Sequence, residues 1–107
     1  MTKQELIDAG FERVCAADEV GQPMPLRVDH GGRGVLVCRE GGKLWAVDET
    51  CPHENQSMRF GVVFDGVITC PHHQYRFNLE TGACSKRCAP LQIYRLEVLD
   101  GDVWIRA

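Results

Sequence analysis

Positive charge and long apolar runs are both scarce in this sequence. Its 107 residues carry 12 Lys and Arg against 15 Asp and Glu, which gives a net charge of −3 and a pI near 5.7. Such a balance lacks the basic stripe that nucleic-acid binding requires. No apolar run approaches the roughly 20 residues of a membrane-spanning helix, and the N-terminus lacks the apolar stretch of a signal peptide. We therefore expect a cytoplasmic protein that binds neither nucleic acid nor membrane.

The length of the chain limits its domain organisation. With 107 residues it is long enough for one compact domain and too short for a second independent one. The sequence contains no internal repeat, linker or low-complexity tract. We expect a single domain over residues 1–107, and the slightly acidic surface suits a protein that meets its partners transiently.

Turn signals divide the chain into short strands. GVLVCRE and KLWAVDE flank Gly41-Gly42, while VVF and VIT flank Asp65-Gly66, and RLEVL and DVWIR flank Asp100-Gly101. Two-residue links of this kind are typical of β-hairpins because they tolerate positive φ angles. FERVCAA, LRVDH and YRFNL are three further strand candidates, and the spacing of Thr2 and Glu5 allows a capped helical turn. The pattern predicts an all-β domain.

Six cysteines are many for so short a chain. In a secreted protein they would indicate a disulfide framework, whereas in the cytoplasm clustered thiols more often bind metal. Cys15 and Cys38 fall in strand patterns and are expected to be small buried hydrophobic residues. Cys51 and Cys70 each lie close to histidines.

These last two cysteines belong to two facing loops. Cys51-x-His53 precedes the Asp65-Gly66 hairpin and Cys70-x-x-His73 follows it, so an antiparallel hairpin brings both loops to the same end. Thiolate and imidazole together suit zinc or an iron–sulfur cluster. Structural zinc sites usually draw two cysteines from one knuckle, whereas here each loop supplies one Cys and one His.

The pattern resembles that of the Rieske proteins. C-x-H followed by C-x-x-H, the Asp-Gly hairpin between them, FNLETG after the second loop and the closing YRLEVLDGDVWI hairpin carry the resemblance over roughly residues 12–106. It implies a small antiparallel β-sandwich or barrel-like base with a two-loop cluster-binding subdomain, the loops lying at about 51–60 and 70–77. It also implies one [2Fe–2S] cluster per chain, with Cys51 and Cys70 on one iron and His53 and His73 on the other.

The resemblance is to one branch of that family. Respiratory and photosynthetic members have a membrane anchor and an extra cysteine in each cluster loop, where this chain has Gln56 and His72. They also place Ser and Tyr hydroxyls after the second His, where this chain has Tyr75 and Phe77, so we expect a potential of about −150 mV, at the low end of the Rieske range.

An anchorless Rieske protein of this length is similar to the ferredoxin component of bacterial multicomponent oxygenases. Such a ferredoxin carries one electron at a time from a flavin-dependent reductase to a terminal oxygenase and is not itself an enzyme. The resemblance also implies a monomer, because such a carrier must expose one end to two partners in turn. One alternative is the small Rieske-like subunit of assimilatory nitrite reductase. An alternative of another class is a zinc-stabilised β domain that only binds partners.

The resemblance also leads to expectations about single residues in and beside the two loops. Family members have Gly after the second ligand His, so Gln74 is expected to avoid a positive φ. His72 repeats the Cys-x-His spacing of the first loop, but the family pattern indicates that His73 is the cluster ligand. We expect Cys84 and Cys88, in a loop that by resemblance passes near the cluster, to be reduced thiols. The expected docking face comprises Glu54, Asn55, Met58, Arg59, Gln74 and Arg76.

Overall fold

The chain begins with a short capped helix and continues as strands. The computed structural model describes residues 1–52, 55–72 and 74–107. Helix α1 spans Lys3–Asp8, and Thr2 and Glu5 form the predicted capping box. A 3₁₀ turn, Ala17–Glu19, follows the first strand. The described residues contain nine strands: β1 Glu12–Ala16, β2 Leu26–His30, β3 Arg33–Glu40, β4 Lys43–Asp48, β5 Val62–Phe64, β6 Val67–Thr69, β7 Arg76–Asn78, β8 Ile93–Leu99 and β9 Asp102–Arg106.

The larger sheet has six strands in the order β1-β9-β8-β4-β3-β2, and all of its pairs are antiparallel. Its two edges approach each other, since β1 lies beside β2 and His30 Nδ1 lies 3.4 Å from Glu12 Oε1. The sheet is therefore a nearly closed barrel. Val35, Val37 and Ile105 are fully buried inside it, together with the predicted core residue Cys15.

The three predicted hairpins are all confirmed. β3 pairs with β4, β5 with β6 and β8 with β9. Asp65 and Gly66 have φ angles of +55° and +73°, and Asp100 and Gly101 have +51° and +79°. Positive φ at both central residues is the geometry of a type I′ turn, whose twist matches that of the flanking strands. The all-β prediction is thereby confirmed.

The smaller sheet has three strands, in the order β5-β6-β7, and forms a subdomain whose strand β5 contacts strand β3 of the barrel. Because successive side chains alternate between faces, Val63, Ile68 and Phe77 all point inward and are buried. They join a core that also contains Cys38, a predicted buried residue, and the half-buried Trp45 packs against this core. This shared core fixes the small sheet on the barrel. No helix in the described ranges is long and apolar enough to cross a membrane.

Candidate metal centre on two matched loops

The first loop leaves the barrel after β4 and is closed by backbone hydrogen bonds. Thr50 and Ser57 form an antiparallel bridge at its base. Inside that bridge the N–H of Cys51 donates to the carbonyl of Gln56 over 2.8 Å, and the N–H of Asn55 donates to the carbonyl of Cys51 over 2.8 Å. Both backbone groups of Cys51 are thus held by the loop itself.

The second loop repeats this arrangement between β6 and β7. Thr69 pairs with Arg76 at its base. The N–H of Cys70 donates to the carbonyl of Tyr75 over 2.7 Å, and the N–H of Gln74 donates to the carbonyl of Cys70 over 3.1 Å. The described parts of the two loops therefore share one hydrogen-bonding pattern, in which Cys51 and Cys70 hold the first position of loops 51–56 and 70–75.

The fifth position of each loop is strained in the same way. Asn55 has a φ of +56° and Gln74 a φ of +61°. The expectation that Gln74 avoids a positive φ is therefore wrong. The reason is geometric: the hydrogen bond from the N–H of Gln74 to Cys70 turns the chain through the left-handed region, and this turn is kept although the residue is not glycine.

The two cysteines are buried thiols in a common core. Cys51 is 0% exposed and Cys70 is 1% exposed, and both pack with Met58, Ile68 and Phe77. Burial of this kind presents soft ligands in a dry, rigid setting that suits a thiolate-bound metal. Two buried thiols, one from each loop, have the donor chemistry that fits an iron–sulfur cluster.

The predicted histidine ligands His53 and His73 lie outside the described residues, as does Glu54. His72 is described, and it is exposed. Within the described ranges no three His, Cys, Asp or Glu side chains are grouped so that they could hold a metal ion. His72 therefore does not complete a metal site with the two buried cysteines.

Glu49 braces the first loop from outside. Its carboxylate accepts from Ser57 Oγ at 2.6 Å and from Arg27 Nε at 2.8 Å. The Ser57 hydrogen bond and the Arg27 charge hold the pKa of Glu49 below its usual value. A Cβ at Gly34 would collide with this carboxylate and displace it, so glycine leaves room for the Glu49 contacts. Sequence reasoning missed this brace because its parts lie on β2, β3 and the loop, far apart in the chain.

A third loop packs beside the second. Cys84 forms an isolated antiparallel β-bridge with Phe77, and the N–H of Ser85 donates to the carbonyl of Arg76 over 2.8 Å. Lys86 Nζ lies 4.7 Å from the centroid of the Tyr75 ring. Cys84 and Cys88 are joined in a disulfide with their Cα atoms 6.0 Å apart. The expectation of reduced thiols is corrected here, because the tight loop sets the two Cα atoms at a distance that a disulfide spans without distortion.

The exposure expected of the docking face is found for four of its five described residues, while its role in docking stays a prediction. Asn55, Arg59, Gln74 and Arg76 are exposed, but Met58 is fully buried and belongs to the core around the cysteines. Phe60, Val62 and Phe64 were not predicted, yet they are 65%, 46% and 77% exposed. Val62 and Phe64 share the outer face of β5, and Arg59 lies 5.1 Å from the Phe60 ring. The alternation VVF could have indicated this outer apolar face.

Two buried cysteines on matched loops of a small antiparallel β domain are an arrangement that suits the binding of a metal cluster. The model of the Rieske [2Fe-2S] domain matches residues 10–96, and the chain belongs to this family. Its cofactor is the Rieske [2Fe–2S] cluster.

Named relatives are of similar length. The chain is 35% identical to ferredoxin CarAc of Metapseudomonas resinovorans, with 87% of this chain and 90% of that protein covered. It is 32% identical to the anthranilate 1,2-dioxygenase ferredoxin subunit of Burkholderia cepacia, with 89% and 90% covered.

A solved ferredoxin has the same fold. The ferredoxin of carbazole 1,9a-dioxygenase from Nocardioides aromaticivorans IC177 superposes with a TM-score of 0.81 at 28% identity, with 89% of this chain and 95% of that chain covered. The predicted Rieske fold, with its barrel-like base and two-loop subdomain, is confirmed.

Proposed function

We propose that this chain is a one-electron carrier, the ferredoxin component of an oxygenase system, and that all 107 residues form one Rieske domain. The observation that carries the proposal is the pair of matched loops, each with a buried cysteine held by its own backbone. Relatives named as ferredoxin components of dioxygenases support it. The carrier has no reaction of its own and is not an enzyme.

Cys51 and Cys70 would hold one iron, and His53 and His73 the other. When bound, the cluster supplies a single reversible electron. Two ferric ions and two sulfides form a +2 core that the two cysteine thiolates neutralise, while neutral histidines leave the charge unchanged. Accepting an electron is therefore easier than at an all-cysteine cluster.

The protein contributes rigidity around this site. Pro52 and Pro71 fix φ directly after each cysteine, and the closing hydrogen bonds hold both cysteine backbones. Loops that keep their shape in both oxidation states lower the reorganisation that accompanies electron transfer. The potential is placed near the low end of the Rieske range, about −150 mV.

The proposed partners are a flavin-dependent reductase, which supplies the electron, and a terminal oxygenase, which receives it. A solved complex of reduced oxygenase and oxidised ferredoxin in carbazole 1,9a-dioxygenase contains a chain 32% identical to this one, with a TM-score of 0.80. We place the carrier in the cytoplasm as a monomer, so that one exposed end meets each partner in turn.

The nitrite reductase alternative has weaker support. An NADH-dependent nitrite reductase small subunit from Mycobacterium tuberculosis superposes with a TM-score of 0.81 but at 22% identity, which speaks for the fold alone. The relatives at 30% identity or above point to oxygenase ferredoxins instead. A zinc-stabilised domain has no support from these relatives.

Electron paramagnetic resonance of the purified protein, before and after dithionite, tests the proposal. We expect no signal when oxidised and, when reduced, a signal with an average g below that of all-cysteine clusters. Cys51→Ser and Cys70→Ser should each lose most of the signal, whereas Cys15→Ala, which removes a buried thiol of the barrel core, should keep it. Zinc in place of iron, with no signal, would contradict the proposal.

A further inference from the structure

Cys84 and Cys88, which form the disulfide, are more exposed than the other four cysteines of the chain. Cys15, Cys38, Cys51 and Cys70 are all buried thiols. Cys84 and Cys88 are half-buried, and the three residues between them are exposed. Burial raises the pKa of Cys38 to about 12 and also raises that of Cys15, which keeps both thiols protonated and inert. Only the half-buried pair is open to a reagent in solution.

We propose that Cys84 and Cys88 form a second redox site, a disulfide that exchanges with a dithiol reductant and controls how firmly the third loop holds the second cluster loop. This role goes beyond the proposed transfer of single electrons, because the disulfide exchanges two electrons at sulfur.

The disulfide is poorly suited to be a purely structural staple. It joins residues only four apart in sequence. A bridge across so short a segment removes less conformational freedom from the unfolded chain than a bridge across a long loop. Its main effect is therefore local, on the shape of the loop that contains Ser85 and Lys86.

That local shape is connected to the cluster loop. The backbone N–H of Arg76 donates to Ser85 Oγ over 3.1 Å, and the carbonyl of Arg76 accepts from the N–H of Ser85 over 2.8 Å. Arg76 pairs with Thr69 across the base of the second loop, next to Cys70. Lys86 lies over Tyr75, whose carbonyl holds the N–H of Cys70. Opening the disulfide frees the segment that makes these contacts.

The surroundings also favour exchange at a defined sulfur. The backbone N–H of Lys86 lies 3.5 Å from Cys84 Sγ, and Lys86 and Arg87 add positive charge nearby. Both features stabilise a thiolate on Cys84 as it leaves.

The electron balance of the exchange is complete. A thiolate of the reductant attacks Cys88 Sγ, and the electron pair of the S–S bond passes to Cys84. The second thiolate of the reductant then attacks the reductant's own sulfur in the mixed disulfide and releases Cys88. The reductant is oxidised to its disulfide, and the protein gains two electrons and two protons.

Counting thiols on the cluster-loaded protein tests the exchange. The protein is incubated under native conditions with glutathione disulfide or with dithiothreitol, then quenched in acid, unfolded and alkylated. The chain has six cysteines, so we expect four alkylated cysteines after glutathione disulfide and six after dithiothreitol. Six after glutathione disulfide, or four after dithiothreitol, would overturn the proposal.

Cluster stability tests the link to the second loop. Iron loss to a chelator, followed by the visible spectrum, should be severalfold faster after dithiothreitol than after glutathione disulfide. The double variant Cys84→Ser/Cys88→Ser should lose iron at the fast rate in both conditions, while Cys15→Ala should respond like the wild type. Equal rates in the two wild-type forms would refute the link, even if the double variant fails to fold. Neither assay depends on electron transfer, so a failed oxygenase role leaves both results readable.

Discussion

Gln74 donates its backbone N–H to the carbonyl of Cys70 over 3.1 Å while holding a φ of +61°. An L-residue in the left-handed region is strained by roughly 1–2 kcal/mol, whereas glycine is not. Glycine also loses more conformational entropy on folding than glutamine does, which offsets this stabilisation by about 0.5–1 kcal/mol. Gln74→Gly should therefore raise the stability of the cluster-loaded protein by up to about 1 kcal/mol, measured as an increase in Tm.

Two further variants control this prediction. Asn55→Gly makes the same change at the matched position of the first loop, where Asn already tolerates a positive φ of +56°, so its gain should be smaller. Gln74→Val places a β-branched residue at a positive φ and should lower Tm. A lower Tm for Gln74→Gly would mean that the Gln side chain contributes to the loop.

The ligand assignment in the second loop gives a prediction about the potential. His73→Cys should lower the reduction potential by on the order of 100 mV or more, because a thiolate replaces a neutral ligand and all-cysteine clusters lie far lower. His72→Ala should leave the potential almost unchanged, since His72 is an exposed neighbour. Voltammetry of both variants measures the difference. The opposite pattern would assign the ligand to His72.

Features of the fold and of the two loops that depend on neighbouring residues could be predicted from the sequence, whereas features that depend on distant segments could not. The Asp-Gly and Gly-Gly turns and the strands beside them are set by neighbouring residues, so they were predicted correctly. The burial of Met58 and the Cys84–Cys88 disulfide depend on how the small sheet packs against the rest of the chain. The positive φ of Gln74 follows from a hydrogen-bond pattern that both loops share, which a family comparison at one position did not reveal.

The brace on the first loop predicts a pH dependence of stability. The pKa of Glu49 is lowered in the folded protein by its hydrogen bond from Ser57 and by Arg27. A lowered pKa contributes stability above the unfolded-state pKa near 4.5, and this stability is lost as the pH falls through the lower folded value. Glu49→Gln should therefore lower the free energy of unfolding by roughly 1–2 kcal/mol at pH 7 and by much less near pH 3.

Unfolding in denaturant at several pH values measures this difference. Glu97→Gln, a matched change of an exposed glutamate on β8, should show little effect at any of them. If Glu49→Gln loses the same free energy of unfolding at pH 3 as at pH 7, packing of the side chain, rather than its charge, stabilises the first loop.

The exposed charges at the cluster end predict how partners dock. Arg59, Arg76, Lys86 and Arg87 make no ion pair with any residue in the described ranges, although the chain as a whole has a net charge of −3. Arg76 lines a pocket together with the exposed Phe64, and Arg59 lies 5.1 Å from the ring of the exposed Phe60. A partner that presents carboxylates around an apolar centre fits this end, and charges of this kind mainly accelerate association.

Charge reversal at this end should slow electron delivery without changing the cluster. Arg59→Glu and Arg76→Glu should each slow reduction by the proposed flavin-dependent reductase roughly tenfold at low salt, with a smaller effect at high salt. Arg95→Glu, an exposed arginine on β8, makes the same change in charge away from the two loops. Stopped-flow kinetics at several salt concentrations separate the cases. If Arg95→Glu slows the rate as much as the other two, the total charge of the carrier matters and the docking surface is not at the cluster end.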